Sequence, residues 1–142
     1  PVELYETPAN AFVARFIGTP PMNLLPLVAG ASGAVIEGTD GPAVMPAACA
    51  GGSLGVRPEH IRVAHGRGIR AAVEGVEYLG GDSLVACRIG RTPVAVRVEG
   101  STALRKGDTA GLEWPAGAQH HFGPDGARRA PADSMPGETM LA

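Results

Sequence analysis

Apolar residues in the first twenty positions recur at helical spacing. Phe12, Val13, Phe16 and Ile17 stand at i, i+1, i+4 and i+5, which gathers them on one side of a helix. Thr7 is placed to cap that helix and Pro8 to begin it, because proline's fixed φ suits the first helical position and its missing N–H would find no partner there anyway. Gly18 and the pair Pro20 and Pro21 end it. A helix of about a dozen residues gains most of its stability by packing its apolar face, so the segment predicts a surface to dock on.

After Met22 the period becomes two. Leu24, Leu25, Leu27 and Val28, the glycines at 30 and 33, then Val35 and Ile36 predict a meander. Leu54 and Val56 alternate with Gly55 and Arg57, Pro58 interrupts, and Ile61 and Val63 resume, which reads as strand, turn, strand. Ile69, Ala71 and Val73 share one parity while Val76 and Tyr78 have the other, so the spacing predicts a β-bulge at Gly75. Gly80, Gly81 and Asp82 make the turn, and Val85, Cys87 and Ile89 form one face of the return strand. Val94, Val96 and Val98 alternate with Ala95, Arg97 and Glu99; beyond the turn at Lys106, Gly107 and Asp108 come Ala110, Leu112 and Trp114. About five or six short antiparallel strands with a bulged first hairpin predict a mainly β protein, an OB-fold-like small antiparallel barrel preceded by one or two short α-helices. The chain divides into helical residues 1–21, a barrel over 22–126, and a tail over 127–142 expected to fray.

Composition sharpens this picture. The 142 residues include 21 glycines and 13 prolines, about twice the usual joint share, and only 18% are charged. That favours turn-rich β structure. The formal charge of −2 comes with no basic patch, so nothing argues for nucleic acid as a partner. No apolar run approaches the roughly 20 residues a bilayer span requires, and the chain reads as soluble. Cys49 and Cys87 lack CxxC spacing and fit a reducing compartment.

Candidate chemistry is sparse. Neither G-x-x-x-x-G-K-[ST] nor a G-x-G-x-x-G leading into a helix occurs, so nucleotide hydrolysis is not expected within this chain. His120 and His121 are adjacent, and neighbours in a strand would point to opposite faces, while His60 and His65 lack a ligand pair, so no metal site is expected. Glu74 and Glu77 read as a solvated strand face, and LGGDS as a hairpin turn rather than an anion nest. In GVRPEH, Pro58 holds Arg57 and Glu59 at fixed separation; the pair either locks a turn or is presented to another chain.

The order PVELYETPANAFVARFIGTPPMNLL, GVRPEH, VEYLGGDSLVACRIG and GLEWPAGAQHHFGPDG resembles the C-terminal part of an ABC importer ATP-binding subunit of the maltose and sn-glycerol-3-phosphate importer subfamily, to about Gly126. The resemblance implies that Pro1 to Gly18 are the last helices of a nucleotide-binding domain, whose body their apolar face would pack on, so that in this fragment the face is expected to fold back on the barrel or to meet another copy, and that the rest is the regulatory, transport-associated OB (TOBE, MOP-like) domain. ATP and Mg would belong to the parent protein, with no cofactor, catalytic residue or metal in this fragment. It implies a homodimer through the regulatory domain, membrane-spanning permease subunits as partners, inhibitory regulators or small effectors, and a cytoplasmic location peripheral to the inner membrane. Gly55, Arg57, Pro58, Glu59 and His60 match one family motif, and His120, Phe122, Asp125 and Gly126 match the closing H-x-F-x-x-D-G; both sets are expected in structural, regulatory or interface roles. The glycine-rich TDGPAVMPAACAGG and the basic tail depart from the family. Two other functions compete: a free-standing OB-type binder of a small, molybdate-like anion or small effector, and an enzyme using Glu74, Glu77 or His60.

Overall fold

A computed structural model describes residues 20–129. The helix expected from Pro8 and the tail beyond Arg129 lie outside the described residues. Ten strands follow in order: β1 Asn23–Ala29, β2 Ala34–Ile36, β3 Ser53–Val56, β4 Arg62–Ala64, β5 Ile69–Tyr78, β6 Asp82–Ile89, β7 Thr92–Glu99, β8 Thr109–Glu113, β9 His120–Phe122 and β10 Arg128–Arg129. They form two antiparallel five-stranded sheets, ordered β10-β9-β3-β1-β2 and β4-β8-β5-β6-β7. The fold is mainly β and OB-like, as the alternation predicts.

One core lies between the sheets. Leu25, Leu27, Ile36, Leu54 and Val56 enter it from the first sheet, and Ile69, Val85, Ile89, Val96 and Leu112 from the second. Trp114 closes it, 2% exposed, with its indole N–H donated to Gln119 Oε1 at 2.9 Å so that burial orphans no donor.

The predicted bulge is present. Val73 stands opposite Cys87 and Gly75 opposite Ala86, which leaves Glu74 as the extra residue. The shift returns Val76 to the inward face, opposite Val85 and thence Val96. Yet Val76 is 40% exposed and Tyr78 65%, because the hairpin runs past the end of the core and nothing among the described residues covers it. At the other end, Arg128 and Arg129 pair with Phe122 and His121, so ordered pairing continues three residues past Gly126, where the tail was expected to begin.

Strand β7 is a sheet edge, and edges need protection. Asn23 supplies it. Its amide donates from Nδ2 to the Ala95 carbonyl at 2.9 Å and accepts the Ala95 N–H at Oδ1 at 2.8 Å. One side chain thus makes both bonds that a neighbouring strand would make, and joins the first sheet to the edge of the second. Pro93, two residues away and therefore of the same parity, has no N–H to leave bare.

Candidate functional site

The matched motifs meet on the first sheet. Gly55 in β3 stands between Leu24 of β1 and His120 of β9. A Cβ at Gly55 would lie 2.5 Å from Met22 Sδ and 2.9 Å from the Phe122 ring, so the bare backbone is what lets those two buried side chains pack across it. Met22, Gly55 and Phe122, far apart in sequence, are one packing unit.

The chain then turns. Arg57 is 2% exposed and precedes a short 3-10 turn, Pro58–His60, whose His60 N–H donates to the Arg57 carbonyl at 3.0 Å. Pro58 is buried, whereas Glu59 and His60 are exposed. Glu59, His60 and Arg62 form one wall of an open cleft of about 360 Å³, with Pro115, Gly117 and Ala118 opposite. The structure therefore splits the GVRPEH motif: Gly55, Arg57 and Pro58 face inward, while Glu59 and His60 stand on a rim.

His120 is half-buried, with Nδ1 2.7 Å from Arg128 Nη2. A guanidinium only donates, so Nδ1 must accept and the ring carries its proton on Nε2. Burial first, and then the neighbouring cations Arg128, Arg57 and His60, push the His120 pKa down to about 4. The Arg128 guanidinium also lies 6.0 Å from the centroid of the Phe122 ring. Asp125 and Gly126 sit apart from this cluster in the turn between β9 and β10. There Asp125 Oδ1 accepts the Ala127 N–H at 3.0 Å, and Gly126, at φ +83°, adopts a backbone that a side chain would strain.

Three residues on or beside this sheet escaped the sequence reading as site residues, Asn23 in β1, His121 in β9 and Cys49 in the 3-10 turn Ala47–Cys49. Asn23 shares the parity of Leu25 and Leu27, and a polar residue at an inward position is a legible signal that its side chain has partners to meet. Cys49 and His121 had no such signal. Cys49, from the glycine-rich departure, places Sγ 3.6 Å from His121 Nδ1, both buried, and burial lowers the His121 pKa. Among the described residues, no group of three or more His, Cys, Asp or Glu is gathered to hold a metal ion. Glu74 pairs with Arg88 at 2.9 Å on the surface, and Glu77 is exposed. Burial, with Glu74 adding to it, pushes the Cys87 thiol up to about 11.

Residues 54–122 match the family model described as the TOBE domain. Over 141 residues the chain is 39% identical to the sn-glycerol-3-phosphate import ATP-binding protein of Burkholderia mallei, covering 92% of this chain and 39% of that protein. Proteins of the same description from Chromohalobacter salexigens and Bordetella pertussis are 40% identical over 138 residues and 38% identical over 143, covering 90% and 91% of this chain and 37% and 39% of theirs. The chain thus spans about two fifths of the length of the curated relatives it matches. No helix among the described residues is long and apolar enough to cross a membrane.

Proposed function

We propose, from the premise that this chain carries a TOBE domain, that it is the regulatory end of the ATP-binding subunit of an ABC importer, with sn-glycerol-3-phosphate as the imported solute. The observation that carries this reading is the 39% identity across 92% of the chain to proteins described by that solute. ATP and Mg would act in another part of the subunit, since the phosphate-cradling motifs are absent from this sequence. The domain's own task is to hold two subunits together and to receive signals.

The surface supports both parts of that task. Val76 and Tyr78, at 40% and 65% exposure, share one face at the end of β5, and Leu79, 43% exposed, follows directly, an apolar strand end that a second copy would cover. The cleft beside Glu59 and His60 offers charged, exposed groups to an inhibitory protein or a small effector. Either regulates transport only by favouring one arrangement of the paired subunits over another. In this reading the subunit lies at the cytoplasmic side of the inner membrane, held there by permease subunits.

Translation of the source DNA upstream of the Pro1 codon tests the assignment. The expected result is an open frame of about one further domain's length with G-x-x-x-x-G-K-[ST] after a predicted strand. A start codon immediately before Pro1 would overturn it and leave a free-standing small-ligand binder.

A further inference from the structure

The loop between β4 and β5 opens with His65, Gly66, Arg67 and Gly68 and folds back over β8. Gly66 and Gly68 turn it at φ +74° and +91°, and Gly111 of β8 lets it lie close, because a Cβ there would run into the Arg67 carbonyl oxygen. The result is a notch of about 250 Å³, lined by the loop, by Arg70 of β5 and by Thr109 and Gly111 of β8. We propose that this notch binds a small oxyanion of the phosphoryl class, with Arg70 as its principal ligand and Thr109 and His65 as flanking donors.

Strand pairing brings the donors together. Arg70 stands directly opposite Gly111, which has no side chain to cover it, and Thr109 lies two residues along β8 on the same face. Arg70, Thr109 and His65 are exposed, and among the described residues none of the three makes a side-chain hydrogen bond or ion pair. Arg67 differs. Its guanidinium is pinned to Glu113 by bonds of 3.0 and 3.1 Å, so its charge is answered and its part is to hold the loop in place. No carboxylate is among the described residues that line the notch, and Asp108, next to Thr109, turns Oδ2 to the Arg105 N–H at 2.9 Å. A chain of net charge −2 thus carries a notch whose unanswered charge is positive.

The donor set selects the anion. A guanidinium presents a rigid fork that meets two oxygens of a phosphoryl group or of a carboxylate. Thr109 and His65 add donors from other elements, and a tetrahedral phosphoryl group has a third oxygen to accept from them, whereas a planar carboxylate has none. The notch shares no lining residue with the cleft beside Glu59 and His60, so it is a separate place for a small molecule to act. An oxyanion binds here whether or not the chain serves an importer.

Amide chemical shifts of the full 142-residue chain, followed by NMR as sodium phosphate replaces sodium chloride at constant pH and ionic strength, test this. Shifts should gather at residues 65–70, 109 and 111 and saturate with a Kd on the order of 1 mM, as a few charge-assisted bonds in an open site would give. Arg70→Gln should weaken binding roughly tenfold, the loss of hydrogen bonds to a charged group. Arg70→Lys, which keeps the charge without the fork, should fall between, and Arg91→Gln, which removes an exposed cation outside the notch, should stay within about twofold of the parent. sn-Glycerol-3-phosphate in place of phosphate tells an ester from the free anion, and either one saturating at these residues supports the proposal. Shifts scattered over cations elsewhere on the surface, or a Kd unchanged by Arg70→Gln, would overturn it. Neither result touches the importer assignment, which the upstream sequence decides.

Discussion

At the scale of single residues, two polar side chains decide how the fold holds. Asn23 replaces a missing strand at the β7 edge, and its truncation leaves a backbone N–H and C=O of Ala95 without the bonds they make now. Asn23→Ala should therefore lower unfolding free energy by about 1–3 kcal/mol, the cost of orphaning buried polar groups, at unchanged denaturant dependence. Urea unfolding checks it, and a loss of only a few tenths would mean the seam is held by packing instead. His120 acts through protonation. Its folded pKa of about 4 lies below the ordinary value near 6.5, so the unfolded chain takes up the proton first as pH falls. The stability contribution is whole above about pH 6.5 and drains away as pH falls towards 4; His121, also lowered by burial, pulls the same way. Glu74, Glu113 and Asp125 have pKa values lowered by their hydrogen bonds, so their contributions are lost at lower pH still, and the interval from pH 7 to 5 isolates the histidines. Across it, His120→Gln should flatten the fall in stability, and a slope equal to that of the parent chain would show that His120 is as well solvated as in the unfolded state.

At the scale of elements, legibility followed length. β5, β6, β7 and β8 carry five to ten residues each, enough alternation for their inward faces to be read, and even the bulge showed as a change of parity at Gly75. β2, β4, β9 and β10 have two or three residues, too few for a period, and so the described residues hold ten strands where five or six were expected. β9 was hidden further because His120 and His121 interrupt the apolar pattern; only the pairing of β9 with β3 explains why a buried Phe122 follows them. The candidate site divided likewise. Gly55, Arg57, Pro58, His120 and Phe122 were found through motif resemblance, but the packing of Gly55 and Phe122 with Met22 depends on sheet order, which spacing along one chain does not encode. Val76 and Tyr78 show the opposite failure. Their parity was read correctly, but parity states which way a side chain points and says nothing of whether a core lies beneath it.

At the scale of the whole molecule, that uncovered end of the β5–β6 hairpin is where self-association should act. The core is complete without Val76, Tyr78 and Leu79, because Val85 and Val96, which neighbour Val76 across β6 and β7, and Ser83, opposite Tyr78, are already buried. The strip therefore costs hydration without contributing to the fold unless something covers it. A strip of this kind can be made polar with little effect on the monomer: Tyr78→Asp, at a side chain 65% exposed, should change stability by no more than about 0.5 kcal/mol. Its effect on mass should be large. Light scattering across micromolar to near-millimolar concentrations should find the parent chain passing to dimer and Tyr78→Asp remaining monomeric. A parent chain that stays monomeric throughout, or a Tyr78→Asp variant that still pairs, would remove the strip from the interface, and pairing would then have to be sought where motif residues reach solvent, at the Glu59–His60 rim or at the Asp125 turn.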